Sequence, residues 1–381
     1  PYQEGKHMKI LVLNYEYPPI GGGASPVAAD LSRHLAARGH EVSVVTMAYK
    51  DLPKHEIVDG VEVHRVKCLR TKAFVCYPWE QMTYLIAARL FLKKHLKTHT
   101  YDVVHSHFIF PTGMLAVWLK KKYGLPFVST AHGSDVEGYN QNRFRFLHKM
   151  LRKPWKKICA NASFVTAPSP FLQELIWKAD PTVRCEIVPN GINTDTYRQG
   201  PKEQAILTLC RLQMPKGVQD VIRAFAALKP EGWVLRVAGD GPYRPELEKI
   251  SSECGVSDKV QFLGWIDNKS DLLKETLARA SVFASMSRFE SFGISAAEAV
   301  ASGCRVVLSD IPAHRQFAAF GAAFVPLEDG AALQTALQTA MRAESAPVVD
   351  VEALDWRGIV QKLERLLEQA RDAANAAKSA E

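Results

Sequence analysis

Short apolar runs alternate with longer segments of helical periodicity along the first half of the chain. The first run, from Lys9 to Asn14, is typical of a strand buried on both faces. A helix over about 25–38 follows it, and a second strand is predicted over 41–46. Further strands are predicted near 102–106, 126–131, 162–167 and 184–188, and further helices near 79–98, 111–123, 143–159 and 169–178. This alternation indicates an α/β fold with a doubly wound parallel sheet, which binds ligands at the carboxyl ends of its strands.

A turn-rich linker interrupts the alternation, which then begins again. The linker runs from Val188 to Asp195 and contains the pair Asn190-Gly191, which favours a tight bend. The second set of strands is predicted near 204–210, 233–239, 260–264, 281–285, 305–308 and 322–325. We therefore predict two Rossmann-like domains, over 8–192 and 196–355, that face a common cleft.

The composition is that of a folded protein large enough for two cores. Of the 381 residues, 47% are hydrophobic and 23% are charged, which argues against a disordered chain. No apolar run approaches the ~20 residues that span a bilayer, and residues 1–7 lack the apolar core of a signal peptide. The seven cysteines are scattered without a C-x-x-C pair, which indicates reduced thiols. We expect a cytoplasmic protein.

Positive charge is concentrated in the first half of the chain. The net charge is +8, but residues 1–200 hold 27 Lys or Arg against 16 Asp or Glu, a balance of +11, whereas the rest carries −3. Segment 143–157 has seven Lys or Arg, no acidic residue and interleaved aromatic residues, and segment 65–72 is also basic. These segments predict contact with an anionic membrane surface, although an ordinary surface helix would look similar. Nucleic acid is disfavoured because no known binding motif accompanies the charge.

Three glycines, Gly21 to Gly23, follow the first strand and precede the first helix. Such a loop lets the backbone approach a ligand at a helix N-terminus, so Gly22 and Gly23 are candidate donor-binding residues. The loop fits neither a P-loop nor the G-x-G-x-x-G dinucleotide motif, which disfavours a hydride-transfer enzyme. A plain turn remains an equal alternative.

Two polar residues, His132 and Asp135, come directly after the predicted strand over 126–131. They can bond sugar hydroxyls or stabilise developing charge, although a lone loop histidine is often only solvated. His105 and His107 follow the preceding strand, and we interpret them as structural.

Two cations open the second predicted domain. Arg211 leaves a strand end and Lys216 begins the next helix, so both can neutralise a diphosphate leaving group. Gly239 lies in another glycine turn at a strand end. No D-x-D sequence occurs in the chain, so no carboxylate-held metal is predicted for the diphosphate and no cofactor is expected.

Two glutamates eight residues apart, Glu290 and Glu298, bracket a strand-to-helix turn. Between them, backbone N–H groups of Ser291, Phe292 and Gly293 at a helix N-terminus suit a phosphate. An anion at the turn with hydroxyls on the carboxylates suits a nucleotide sugar. The competing interpretation is a solvated first-turn glutamate and an incidental second one.

In this order and spacing the motifs resemble those of retaining glycosyltransferases of the two-Rossmann-domain (GT-B) type in family 4. The resemblance extends along nearly the whole chain, through the following motifs: Gly21–Gly23, His132-Gly133, Pro189-Asn190-Gly191, Arg211 with Lys216-Gly217, Gly239-Asp240-Gly241 and Glu290/Glu298. It implies that a sugar leaves a UDP or GDP donor with retention, by front-face displacement.

The resemblance also implies roles for matching positions. Arg211 and Lys216 would hold the diphosphate, Glu290 the sugar hydroxyls, Glu298 the ribose, and His132 the sugar near its anomeric centre. A C-terminal helix, here about 356–372, would cross back onto the first domain. The acceptor is expected to be an anionic or lipid-linked glycan at the inner face of the cell membrane.

Two other classes remain open at this point. A nucleotide-sugar epimerase shares the architecture, but Arg211 and Lys216 together with the glutamate pair favour transfer. A non-catalytic sugar-nucleotide-binding protein would not need Glu290, Lys216 and His132 together.

Overall fold

The computed structural model describes residues 7–139, 145–267 and 270–380, with only the backbone at 145–149 and 380. The described chain divides into two compact units. Unit 1 contains the residues up to Asn190 together with Trp356 onward, and unit 2 contains Gly191–Asp355. Each unit has its own sheet, so the α/β class with two Rossmann-like domains is confirmed.

The sheet of unit 1 has eight strands in the order β3-β4-β2-β1-β5-β6-β7-β8. Its strands are β1 Lys9–Leu13, β2 Glu41–Met47, β3 His55–Val58, β4 Val61–Val66, β5 Val103–His107, β6 Phe127–Thr130, β7 Phe164–Ala167 and β8 Cys185–Ile187. Among them β3 alone is antiparallel to its neighbour. Parallel register places the ends of β1 and β5 side by side, with Leu13 opposite Ser106.

Five helices of unit 1 connect these strands. They are α1 Ala24–Ala37, α2 Pro78–His95, α3 Gly113–Tyr123, α4 Arg145–Asn161 and α5 Pro170–Ala179. Helices α2, α3 and α4 pack side by side in one layer. Local sequence sets several ends: Ser169 caps α5 by accepting the N–H of Leu172, and Gly124 ends α3 in the left-handed conformation.

The hairpin of β3 and β4 was not predicted from the sequence. Its loop is Asp59-Gly60, with φ of 50° and 77°, the conformation of a two-residue hairpin turn. The short strands carry histidines and acids rather than a continuous apolar run, because one of them is an exposed edge strand. The Asp-Gly pair is the signal that could have identified it.

Unit 2 has six strands in the order β11-β10-β9-β12-β13-β14, all of them parallel. They are β9 Glu203–Leu209, β10 Val234–Ala238, β11 Val260–Gly264, β12 Ala280–Ser285, β13 Arg305–Ser309 and β14 Ala323–Val325. The helices are α6 Val218–Leu228, α7 Arg244–Glu253, α8 Asp271–Arg279, α9 Ile294–Ala301 and α10 Gly330–Arg342. A last helix, α11 Trp356–Ala380, belongs to unit 1, where it packs on α1, β5 and β6.

The central strands of unit 2 are buried on both faces. Ile206 belongs to one hydrophobic cluster and Leu207 to another, because successive side chains point to opposite faces of a strand. Val282 and Phe283 on β12 divide between the two clusters in the same way. This double burial explains why the strands have continuous apolar runs.

Each sheet has one place where the strand order reverses. In unit 1 it lies between β1 and β5, and in unit 2 between β9 and β12. The connections from the two adjacent strands diverge there, which opens a crevice at the carboxyl ends. Among the described residues, no helix combines the length and apolar character that crossing a bilayer requires.

Candidate active site

Glycine turns bring the loops of unit 2 together at this crevice. Gly239 has φ of 125°, and a Cβ there would lie 1.9 Å from the carbonyl oxygen of Cys210. The N–H of Leu212 donates to the carbonyl of Asp240 at 3.0 Å. The loops after β9 and β10 are therefore fixed to each other, and Arg211 lies exposed between the fixed residues. The need for glycine at Gly239 is thus a backbone requirement.

A second close approach joins the loop after β9 to the loop after β12. A short 3-10 helix, Met214–Lys216, ends at Gly217, where a Cβ would lie 2.1 Å from the carbonyl oxygen of Met286. The N–H of Arg288 donates to the carbonyl of Pro215 at 2.9 Å. These backbone contacts place Lys216 beside Glu290, where the turn before α9 begins.

Lys216 and Glu290 form an ion pair at this place. The ammonium Nζ lies 2.5 Å from Oε1 of Glu290, and the two side chains are only 21% and 20% exposed. The loop that carries Glu290 is also joined to α6, since the Arg288 guanidinium lies 3.0 Å from the Asp220 carboxylate. The predicted cation and carboxylate are thus adjacent, although 74 residues separate them in sequence.

The turn from Ser291 to Gly293 presents backbone N–H groups at the start of α9. Within the described chain, none of its three N–H groups donates a backbone hydrogen bond. The Phe292 side chain is buried and contacts Phe317 edge-on, so that residue anchors the turn and offers only its backbone. Gly293 has φ of 101°, which favours glycine. An anion can bind here without displacing a side chain.

His314, which sequence reasoning missed, packs behind this turn. Its Nδ1 donates to the carbonyl of Ser309 at 3.0 Å, and a Cβ on Gly293 would lie 3.7 Å from its Nε2. Burial lowers its pKa, with Glu290 and the Ser309 carbonyl acting in the opposite direction. The ring is therefore neutral at physiological pH. It lies in the loop that follows the predicted strand over 305–308, six residues beyond the end of that strand, so its position in the sequence gave little signal.

Glu298 lies inside α9 and is buried. Its Oε1 accepts a hydrogen bond from the Tyr197 hydroxyl at 2.7 Å. Tyr197 comes from the segment that follows the linker and was not predicted to reach this helix. The predicted ribose contact of Glu298 stays a prediction, while the observed hydrogen bond fixes its carboxylate.

The glycine loop of unit 1 is tied to its surroundings by backbone groups. Gly21 has φ of 111° and its N–H donates to the carbonyl of Ala73 at 2.8 Å. The N–H of Gly22 donates to Oε2 of the buried Glu16 at 2.9 Å. Gly23 is exposed, and a Cβ there would meet no atom of the described residues within 4 Å. The loop is held at Gly21 and Gly22 and open at Gly23.

His132 belongs to a group of neutral rings. Its Nε2 lies 2.9 Å from Nδ1 of His107, so the two imidazoles share one proton, and its ring contacts Phe108, which stacks on Tyr15. Burial lowers the pKa of His132 to about 3. His105 is fully buried and bonds Thr130.

Asp135 uses both carboxylate oxygens inside unit 1. Oδ1 accepts from the N–H groups of His132 and Gly133, and Oδ2 accepts from the N–H of Ile109. Burial raises its pKa to about 6, against the effect of these hydrogen bonds. Its observed role is to hold the loops after β5 and β6 together, and donor binding by Asp135 stays a prediction.

The basic segments are only partly available at the surface. In segment 65–72, Arg65 is buried and pairs with Glu56, and the Arg70 side chain is buried beside Glu16. This corrects the interpretation of the whole segment as a basic surface, since Lys67 and Lys72 alone of its cations are exposed. In segment 143–157, residues 143 and 144 lie outside the described residues, and the side chains of 145–149 are not described.

Two Rossmann-like domains are the architecture of GT-B glycosyltransferases. The sequence profile of Glycosyltransferase Family 4 matches residues 21–196, and that of Glycosyl transferases group 1 matches residues 194–348. An uncharacterized glycosyltransferase of Methanocaldococcus jannaschii is 31% identical over 80% of this chain and 81% of its own length. The chain belongs to glycosyltransferase family 4.

Two further likenesses agree with this assignment. Alpha-monoglucosyldiacylglycerol synthase of Streptococcus pneumoniae is 25% identical over 80% of this chain and 72% of its own length. The structure of sucrose-phosphate synthase from Thermosynechococcus elongatus matches with a TM-score of 0.79 and 21% identity, covering 96% of this chain and 100% of that chain. The protein is therefore a transferase enzyme, as the sequence motifs predicted.

Proposed function

We propose that the enzyme moves a hexose-type sugar, with retention, from a UDP or GDP sugar to an anionic or lipid-linked glycan. The observation that carries the proposal is the Lys216–Glu290 pair at the strand-order reversal of unit 2. A cation next to a carboxylate provides one group for a diphosphate and one for sugar hydroxyls. The alternatives, an epimerase and a non-catalytic binding protein, have no observation that favours them.

The donor diphosphate is assigned to three features of unit 2. Lys216 and the exposed Arg211 supply positive charge, and the turn of Ser291–Gly293 supplies backbone donors at a helix N-terminus. Fixed donors of this kind stabilise the charge that develops on a leaving phosphate. Charge neutralisation by these groups supports a transfer that needs no metal ion or cofactor.

The groups of unit 1 suit the acceptor and the reacting sugar. His132 is neutral, so it can donate one hydrogen bond to a sugar oxygen without adding a fixed charge. The buried carboxylates Glu16 and Asp135 are occupied by backbone N–H groups, which leaves neither an evident general base. This supports a front-face displacement in which the leaving phosphate accepts the acceptor proton.

Transfer is tested by measuring release of nucleoside diphosphate with and without a lipid-linked acceptor. Thermal shift with UDP, GDP and ADP first selects the donor, since a ligand of the folded state raises the melting temperature. Glu290→Gln keeps the side-chain shape but loses the charge, and we expect loss of transfer with an unchanged circular dichroism spectrum. Glu246→Gln, on the surface of α7, is the control. Near-normal turnover by Glu290→Gln would contradict the assignment.

The acceptor side of the proposal includes peripheral membrane binding through α2. One face of α2 packs in the core of unit 1, through Tyr84, Ala88 and Leu92. The opposite face has a stripe of exposed apolar side chains, which we call the α2 stripe: Trp79, Met82, Ile86 and Leu90. Their spacing of three and four residues places them on one side of the helix.

Exposed lysines extend the α2 stripe. Lys93 and Lys97 continue the same spacing beyond Leu90, and Lys72 lies over the Tyr77 ring, which stacks on Trp79. Apolar side chains flanked by lysines suit the headgroup region of an anionic bilayer. The similarity to a diacylglycerol glycoside synthase also supports a lipid acceptor.

Sedimentation with liposomes tests this surface. We expect binding to vesicles with anionic lipid, and loss of binding in Ile86→Glu and Leu90→Glu. Val348→Glu, a fully exposed apolar residue in unit 2, is the matched control. Equal sedimentation of Ile86→Glu and the control would exclude the α2 stripe, and substitution of Lys153 and Lys157 then tests α4.

A further inference from the structure

The β3–β4 hairpin places three metal-ligating side chains on one face of the sheet edge. His55 on β3 is directly opposite His64 on β4, and Glu62 lies two residues before His64. Residues two apart on a strand share a face, and directly opposed residues of two strands share it as well. The two histidines and the glutamate therefore point to the same side.

The three potential ligand atoms lie near the separations that a tetrahedral metal requires, with one pair at 3.4 Å and another closer, at 2.9 Å. Oε1 of Glu62 is 2.9 Å from Nε2 of His55 and 3.4 Å from Nε2 of His64, and all three lie within 4.8 Å of one another. Metal–ligand bonds of about 2.0–2.1 Å in tetrahedral geometry separate neighbouring ligand atoms by about 3.4 Å. We propose that His55, Glu62 and His64 bind a divalent transition-metal ion of the Zn²⁺ type.

The buried histidine supplies a second, independent observation. His64 is 9% exposed, and its buried Nε2 makes no well-directed hydrogen bond in the described structure, although Oε1 of Glu62 lies 3.4 Å away. A buried polar nitrogen without a partner is costly, and a metal ion would use its lone pair. The ring is positioned by contacts with Phe91 and His95, so it cannot turn freely toward solvent.

The glutamate is also oriented by a neighbour. Ser43 on β2 donates its hydroxyl to Oε2 of Glu62 at 2.9 Å, which leaves Oε1 directed at the two imidazoles. Hydrogen bonds of this kind orient metal ligands in proteins. Three protein ligands leave a fourth position for water, and imidazole with carboxylate suits Zn²⁺.

Such an ion would attach the edge strand β3 to the sheet. The hairpin supports the glycine loop, because Arg65 of β4 pairs with Glu56 of β3 and donates to the carbonyl of Pro18 at 3.1 Å. The site belongs to unit 1 and shares no residue with the Lys216–Glu290 pair. Its role is to stabilise unit 1, and the chemistry of transfer does not depend on it.

Titration of the metal-stripped full chain with Zn²⁺ and Co²⁺ tests the site. We expect one equivalent of Zn²⁺ to raise the melting temperature, and one equivalent of Co²⁺ to give visible absorption without the near-ultraviolet band of thiolate ligands. His55→Ala is the first variant, because this side chain is about half exposed and its loss leaves the core intact. We expect its affinity for Zn²⁺ to fall at least about tenfold, as removing even an orienting neighbour does.

His7→Ala is the matched control, since His7 forms an exposed pair with Glu41 at 3.5 Å and belongs to no three-ligand group among the described residues. Its affinity for Zn²⁺ should equal that of the unaltered chain. Glu62→Gln is a second variant of the site and should also weaken binding. Absence of stoichiometric binding, equal affinity in His55→Ala and His7→Ala, or a thiolate band with Co²⁺ would each overturn the proposal.

Discussion

At the carboxyl edge of unit 2 the functional groups are charged and paired, whereas at the same edge of unit 1 they are neutral rings. Lys216 and Glu290 form a half-buried ion pair in unit 2. In unit 1, His107 and His132 share a proton, and the carboxylates of Glu16 and Asp135 are held by backbone N–H groups. Two sheets of one architecture therefore have different electrostatics at equivalent places.

Under the proposed function, the charged edge of unit 2 would bind the donor and the neutral edge of unit 1 would bind hydroxyl groups. Fixed charges suit a diphosphate, which carries charge throughout the reaction. Neutral imidazoles suit hydroxyl groups, which they can bond without a permanent charge. The histidine content of the chain follows this division, since of its 12 histidines His314 alone lies in the range of unit 2.

The largest expected effect comes from removing the cation of unit 2. Lys216→Ala should lower kcat/KM for the donor by about 10²–10³-fold, since it removes a fixed group that stabilises the leaving phosphate. Steady-state kinetics with the donor found by thermal shift measures this. Lys249→Ala on α7, whose ion pairs are exposed, should change kcat/KM less than about twofold. If Lys216→Ala keeps activity close to that of Lys249→Ala, the charged edge is not the donor site.

The second prediction concerns acid stability, which the neutral histidines of unit 1 should dominate. Burial lowers the pKa of His105 to about 3 and that of His95 to about 4, while the unfolded value is near 6.5. The unfolded chain therefore binds protons first, so this stability is present above about pH 6.5 and is lost as the pH falls toward about 4. At about pH 5, the lowered pKa of His105 alone should reduce the free energy of unfolding by about 2 kcal/mol.

Asp135 acts in the opposite direction, because burial raises its pKa to about 6 and the folded state gains a proton first. Glu16, whose pKa burial also raises, acts in the same direction as Asp135. The two acids offset only part of the loss, since a larger number of buried histidines act against them. Hydrogen exchange of the full chain at about pH 7.5 and about pH 5, corrected for intrinsic rates, measures both units. Strands β5 and β6 should lose more protection than β9 and β12. An equal loss of protection in both units would contradict the prediction that the buried histidines make unit 1 the more acid-sensitive unit.

The smallest expected effects come from replacing two glycines: Gly217 of unit 2, which packs against backbone, and Gly23 of unit 1, which is exposed. Gly217→Ala in unit 2 should cost at least ~1 kcal/mol of stability, because φ is 70° and a Cβ would collide with the Met286 carbonyl. Gly23→Ala in unit 1 should leave the melting temperature unchanged, because φ is negative and the space is open. Its kcat/KM should fall a few-fold where the loop approaches a substrate. Unchanged kinetics would make Gly23 part of a plain turn.

Much of the fold follows from local sequence. Apolar runs such as Lys9 to Leu13 are too short for helices and therefore predict strands. Their alternation with helices then predicts a doubly wound parallel sheet. Glycine positions such as Gly239 and Gly293 were also identifiable, because each marks a turn at a strand end. The β3–β4 hairpin was missed because its short strands have little apolar periodicity, and only the Asp59-Gly60 turn marked it.

Burial of charge could not be read from the sequence. Arg65 and Arg70 belong to a segment that looks basic and exposed, yet both side chains are buried, since a carboxylate from elsewhere, Glu56 or Glu16, lies next to each. The same limit applies to Asp135, whose carboxylate is occupied by backbone N–H groups that no spacing reveals.

The sequence by itself determined the class of enzyme, the two-domain fold and the candidate cations and carboxylates. Only the tertiary structure decided which of them meet: Lys216 with Glu290, His107 with His132, and His55 with Glu62 and His64. The physical reason is that sheet pairing brings together residues that are distant in the chain, and each backbone conformation then decides which side chains meet. Local sequence determines the strands and turns, whereas the register and burial of the folded sheet determine the chemistry at its edges.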